Sequence, residues 1–152
     1  MGAKEDRMQT VTVTRTIAAP IEKVFDLLTD HANYKDFPGI LDSKLETQGT
    51  PSPNGLGAVR WIKVKQGWFR EKITAYDRPR AFTYLITETS LPLEHEGGTL
   101  TFKPVNGGTE VLWTSRARFT IPLIGGLVTK LFAGMLAKGF SATLKDVEQR
   151  LT

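Results

Sequence analysis

The sequence predicts an α+β fold in which one long C-terminal helix lies on an antiparallel sheet. Two observations carry this. From Pro122 to Thr152 the text PLIGGLVTKLFAGMLAKGFSATLKDVEQRLT is the one segment long enough for a major helix. Leu127, Leu131, Met135 and Ala142 fall near one stripe at helical spacing, and Leu136, Phe140, Leu144, Val147 and Leu151 form an adjoining one. Second, nearly everything upstream reads as strands, apart from a short region near residue 25. An amphipathic helix that follows many strands needs a sheet on which to bury its apolar face.

Pro122 cannot sit inside a helix and Gly125-Gly126 are poor helix formers, so the helix is expected to start near Gly125. Gly134 and Gly139 sit inside it, each costing about 1 kcal/mol relative to alanine. They either let the helix approach the sheet closely or leave a void between the two layers. Lys130 and Lys138 interrupt the apolar text, whose unbroken runs fall well short of the roughly 20 residues that a membrane span needs. No stable membrane insertion is expected.

In chain order, residues 8–17 alternate and are rich in β-branched side chains, which predicts a strand. Ala18-Ala19-Pro20 breaks it and opens a short helix over about 20–29. Asp30 is placed to cap a second short helix that Pro38-Gly39 ends. Residues 40–48 form a weak strand, and Thr50 to Gly55 form a loop. Strands then follow over 57–66, 68–76, 81–89, 95–104 and 109–120. They are punctuated by Gln66-Gly67, Asp77 to Arg80, the apolar loop Leu91-Pro92-Leu93, and Asn106-Gly107-Gly108, a strong hairpin signal.

A chain of 152 residues can bury a core as one domain, here expected over 8–152 with a frayed tail at 1–7. The absence of cysteine excludes disulfides, thiolate nucleophiles and Cys-ligated metals, and fits a cytoplasmic location. The N-terminal text has no apolar core like that of a signal peptide. Net charge is +4, and Arg60, Lys63, Lys65, Arg70, Lys72, Arg78 and Arg80 face only Glu71 and Asp77 within their stretch. No aromatic-and-basic motif accompanies them, so a nucleic-acid partner is not expected. No metal-ligand spacing, phosphate-binding glycine loop or nucleophile elbow is present, and no cofactor is predicted.

Facing residues in paired strands share a side of the sheet. A turn at Gln66-Gly67 sets Ile62 opposite Glu71, and one at Arg78-Pro79 sets Ile73 opposite Tyr84. Arg60, Ile62, Val64, Phe69, Glu71, Ile73, Phe82, Tyr84 and Ile86 then belong to one face, with Lys63, Lys65, Arg70 and Lys72 on the wet one. By the same alternation Val111, Trp113, Ser115, Ala117 and Phe119 point inward. An inward carboxylate needs a partner or water, so Glu71 with Arg60 is either a structural ion pair or the polar group of a ligand cavity. Such an apolar lining with a few polar groups describes a small-molecule pocket, to which Leu131 and Met135 of the helix are expected to contribute. His31, near a helix start, is expected to be exposed. His95 beside Glu94 and Glu96 and the inward Glu71 are the candidate general acids or bases.

The order of strand, two short helices, six strands and long helix resembles the START-like, helix-grip superfamily, in particular bacterial polyketide cyclase/dehydrase and lipid-transport-like members. The residues that carry the resemblance are IAAPIEKVFDLLTD (17–30), YKDFPGI (34–40), GAVRWIKV (57–64), FREKITAYDRPRAFTY (69–84), GGTEVLWTSRARF (107–119) and the closing helix. It implies a seven-stranded antiparallel sheet curled around the C-terminal helix over a hydrophobic cavity. It also implies that Glu71 lines the pocket and that Leu91-Pro92-Leu93 closes over a ligand, although the short Gln66-Gly67 turn leaves no gating hairpin. Three functions are therefore carried forward. The first is binding of a small hydrophobic or aromatic molecule, such as a lipid or polyketide-like compound. The second is a cyclase or dehydratase activity through Glu71 or His95, and the third is a protein-interaction module on the basic sheet face.

Overall fold

The computed structural model describes residues 8–152, and the tail expected at 1–7 lies outside them. Strand β1 (Gln9–Ile17) leads through Pro20 into helix α1 (Ile21–Leu28), which turns Val24, Phe25 and Leu28 onto the core. A 3-10 helix (His31–Asp36) follows. Asp30 precedes it but accepts from the Asn33 amide instead of capping a backbone N–H, as expected of it. Then come β2 (Ile40–Thr47), β3 (Val59–Val64), β4 (Gly67–Asp77), β5 (Ala81–Thr89), β6 (Leu93–Val105), β7 (Gly108–Phe119) and the closing helix α2 (Gly125–Leu151).

The seven strands form one sheet in the order β1-β7-β6-β5-β4-β3-β2, with every neighbouring pair antiparallel. Strands β1 and β2 are the two edges, so α1 and the 3-10 helix must carry the chain from one edge to the other. Helix α2 packs on β1, β7 and α1. Its Leu144 and Val147, and Ile17, Phe25, Leu28, Leu100 and Val111 of the strands and α1, are fully buried. Phe25 meets Tyr76, Phe82 and Phe102 edge-on, a favoured arrangement for aromatic quadrupoles.

The register expected for β4 and β5 is the observed one: Ile73 faces Tyr84 and Glu71 faces Ile86. The β3–β4 turn is Lys65-Gln66, not Gln66-Gly67, so Arg60 lies directly opposite Glu71, and Ile62 opposite Phe69. Each expected pair slips by two residues, which preserves which face each side chain occupies. Close packing does not account for Gly134 and Gly139, because a Cβ at either would meet nothing within 4 Å. The expected basic face is partly neutralised, since Arg70 pairs with Glu46 at 2.6 Å and with Glu88 at 3.0 Å.

Candidate functional site

Between the inner sheet face and α2 lies a cavity of about 340 Å³. Its sheet wall is apolar and comes from alternate positions of successive strands: Ile62, Val64, Phe69, Ile86, Leu93 and Trp113. Its roof is α2, through Phe132, Met135, Leu136, Gly139 and Phe140. The Phe140 ring stacks on Trp113 with centroids 4.0 Å apart. Among the lining residues, Pro38, Gly39, Lys65, Gln66, Met135 and Gly139 are exposed, so the mouth lies between the turn that leads from the 3-10 helix into β2, the β3–β4 turn and the helix.

A polar cluster closes the cavity. Arg60, 1% exposed, donates from Nε to Oε1 of Glu71 at 2.8 Å, and its Nη2 lies 2.7 Å from the same oxygen in an ion pair. Both contacts end on one oxygen, and among the described residues no hydrogen bond to Oε2 is made, which leaves it for the cavity. Nη1 donates to Nδ1 of His31 at 3.1 Å. An arginine is always a donor, so Nδ1 of His31 is the acceptor and Nε2 carries the proton, which it gives to the Asn54 carbonyl at 2.9 Å. Burial, then the Arg60 charge, lowers the His31 pKa to about 3 and keeps the ring neutral. Tyr34 and Tyr84 present their rings to the guanidinium at 4.5 and 5.1 Å. The expectation that His31 is exposed is thus wrong: Asn54 and Arg60, both distant in sequence, enclose it.

His95 belongs to a second chain of bonds. The Ile86 backbone N–H donates to its Nδ1 at 3.0 Å, so Nε2 bears the hydrogen and donates to Ser115 Oγ at 3.0 Å. Burial lowers its pKa, so the ring is neutral. With Nδ1 occupied and Nε2 protonated, His95 faces the cavity as a donor to Ser115 and not as a base. Trp113 Nε1 donates to the Tyr84 hydroxyl at 3.0 Å, and the Tyr84 and Ser115 hydroxyls are hydrogen-bonded to each other. Burial raises the Tyr84 pKa, so it stays protonated.

Two glycines position this group. Gly97 has φ +120° and sits at a β-bulge in β6, between the pairs His95–Ala117 and Gly97–Arg116. The extra residue turns both Leu93 and His95 to the same side as Leu100 and Phe102. At Gly98 a Cβ would overlap the Tyr84 ring, so only glycine lets the phenol lie across β6.

Of the residues expected at a pocket, Arg60, Ile62, Val64, Phe69, Glu71, Tyr84, Ile86, Leu93, His95, Trp113, Ser115 and Met135 line the cavity. Four do not. Ile73 and Phe82 are fully buried in the core, where α1 covers the far end of the same sheet face. Leu91 packs toward Gly67 on β4 and does not close the cavity, and Leu131 is 69% exposed on the outer side of α2. Ala117, expected to point inward, also lines the cavity, and sequence reasoning missed Tyr34, Ile40, Phe132, Leu136, Phe140 and Thr143 as lining residues. Phe140 and Leu136 were legible as a stripe, but two adjoining stripes do not say which one faces inward. Among the described residues, no group of three or more His, Asp or Glu side chains could hold a metal ion, and no helix is long and apolar enough to cross a membrane.

Residues 8–152 match the family described as polyketide cyclase / dehydrase and lipid transport. A crystal structure from Thermus thermophilus superposes with a TM-score of 0.78 at 22% identity, covering 94% of this chain and 97% of that one. A START superfamily protein from Mycobacterium smegmatis gives 0.77 at 16% identity, over 94% and 99% of the two chains. The Zhui aromatase/cyclase from a Streptomyces gives 0.72 at 20% identity, over 95% and 96%. At these identities the likeness is one of fold. No curated protein sequence matches the chain.

Proposed function

Because the chain belongs to the polyketide cyclase / dehydrase and lipid transport family of START-like, helix-grip proteins, we propose that it binds a small hydrophobic or aromatic molecule between sheet and helix. The observation that carries this reading is the cavity itself: apolar on nearly all sides, with buried charge confined to the Arg60–Glu71 pair and Lys65 exposed at the mouth. Burying a ligand's apolar surface contributes about 25 cal/mol per Å², from which the costs of association are subtracted. The polar groups set orientation. Oε2 of Glu71 accepts a hydroxyl of the ligand, and the linked hydroxyls of Tyr84 and Ser115, which use one proton between them, have one left to donate to a ligand oxygen. Native mass spectrometry of the protein as purified, before and after organic extraction, tests this. A removable mass excess is expected. Gly139→Leu, which adds a side chain at the mouth where nothing is in the way, should lower occupancy without loss of stability. A protein that leaves the cell empty and takes nothing from an organic extract of those cells overturns the reading.

A second reading, catalysis of the cyclase or dehydratase kind, is favoured by the open oxygen of Glu71 and not by His95, whose nitrogens are both engaged. Glu71→Gln separates the two: binding retained with turnover abolished identifies Glu71 as the acid or base.

A further inference from the structure

The outer face of α2 carries a pattern that the cavity does not explain. Leu123 is 100% exposed, Ile124 53%, Leu127 63%, Leu131 69% and Met135 41%. Leu127, Leu131 and Met135 recur at four-residue spacing and form one continuous stripe. The other exposed residues from Leu123 to Lys145 are Lys130, Gly134, Lys138, Gly139, Ser141 and Lys145. No acidic residue occurs in that span. Leu123 also has φ +69°, a left-handed conformation uncommon for a leucine, and it holds the side chain in solvent immediately before the helix.

We propose that this face docks the protein on an anionic lipid surface, with the leucine stripe sunk among the acyl boundaries and Lys130 and Lys138 against the headgroups. Composition selects lipid over a protein partner. Protein interfaces are enriched in Tyr, Trp and Arg and depleted in Lys, whereas an interfacial helix sets Leu, Phe or Trp on one face beside Lys or Arg on the other, so the exposed lysines flanking the leucines favour lipid. The stripe has neither aromatic anchor nor arginine, and its lysines have no carboxylate within the exposed face to neutralise them. Met135 belongs both to the stripe and to the cavity mouth, and Gln66 reaches its Sδ at 3.4 Å. Docking on this face therefore brings the mouth to the lipid boundary. The surface exists whether or not the cavity is filled, so the proposal does not rest on ligand binding.

Co-sedimentation of the full chain with phosphatidylcholine vesicles, and with vesicles of equal phosphatidylcholine and phosphatidylglycerol, tests it. Binding to the anionic vesicles alone is expected, weakening as salt is raised. Lys130→Glu with Lys138→Glu should weaken binding by at least about thirtyfold. Leu127→Ser with Leu131→Ser should abolish it, and circular dichroism checks that both variants fold. Absence of sedimentation with anionic vesicles overturns the proposal, as does binding that ignores vesicle charge or both pairs of substitutions. Concentration-dependent dimerisation lost in the leucine variant, without vesicle binding, assigns the face to a second copy of the chain instead. An empty cavity in the mass measurement leaves vesicle binding untouched, so the two readings fail separately.

Discussion

The two halves of α2 are made from the same apolar vocabulary and do opposite things. In the C-terminal half Leu144 and Val147 are fully buried. Arg15 reaches Glu148 at 2.7 Å, and Arg150 donates to the Asp36 carbonyl at 2.7 Å while stacking on Phe37. In the N-terminal half, from Leu127 to Lys138, Thr129 is the one buried side chain, accepting from the Phe119 N–H at 2.8 Å. There the helix roofs a void. Its apolar residues divide between the cavity, through Phe132 and Leu136, and solvent, through Leu127 and Leu131. One half of the helix builds the core, and the other half builds a boundary.

The largest effect should come at the closed end of the cavity, where charge is buried. Arg60→Met leaves Glu71 uncompensated and should cost about 3–5 kcal/mol in chemical unfolding, with much of it recovered by adding Glu71→Gln. Next, Leu144→Ala should cost about 2–5 kcal/mol, whereas Leu131→Ala should stay within about 0.5 kcal/mol. Equal costs for the two leucines would dissolve the distinction between the halves.

Acid sharpens it further. His31 is neutral when folded, with its pKa lowered to about 3 from 6.5, so the unfolded chain binds the extra proton between these values. Stability should be level above pH 6.5 and fall as pH drops from 6.5 toward 3, by at most about 1.4 kcal/mol per pH unit. His95, also lowered, adds a slope of the same sign, so His31→Gln should flatten the profile without abolishing it. One substitution should be a gain. Gly134→Ala has open space around it and should stabilise the protein by about 1 kcal/mol in thermal melts.

Much of the site was legible because strand parity survives error. The β3–β4 turn lies one residue earlier than its Gln66-Gly67 text suggests, yet the two-residue slip kept Arg60, Glu71, Ile62 and Phe69 on the inner face. His95 shows the opposite case. Alternation carried back from Phe102 and Leu100 would turn Glu94 and Glu96 inward, and the bulge at Gly97 turns Leu93 and His95 inward instead.

By itself the sequence determined the α+β class, the Arg78-Pro79 and Asn106-Gly107 turns, the inward set of β3, β4, β5 and β7, and the closing helix. These follow from short-range rules of alternation, turn chemistry and helical period, which act within a few residues. Only the tertiary structure decided what covers each face. It enclosed His31 between Arg60 and Asn54, gave Ile73 and Phe82 to the core and not to the cavity, and turned one leucine stripe of α2 to solvent. Burial belongs to the pair of surfaces that meet, and no single strand or helix carries a record of what will lie over it.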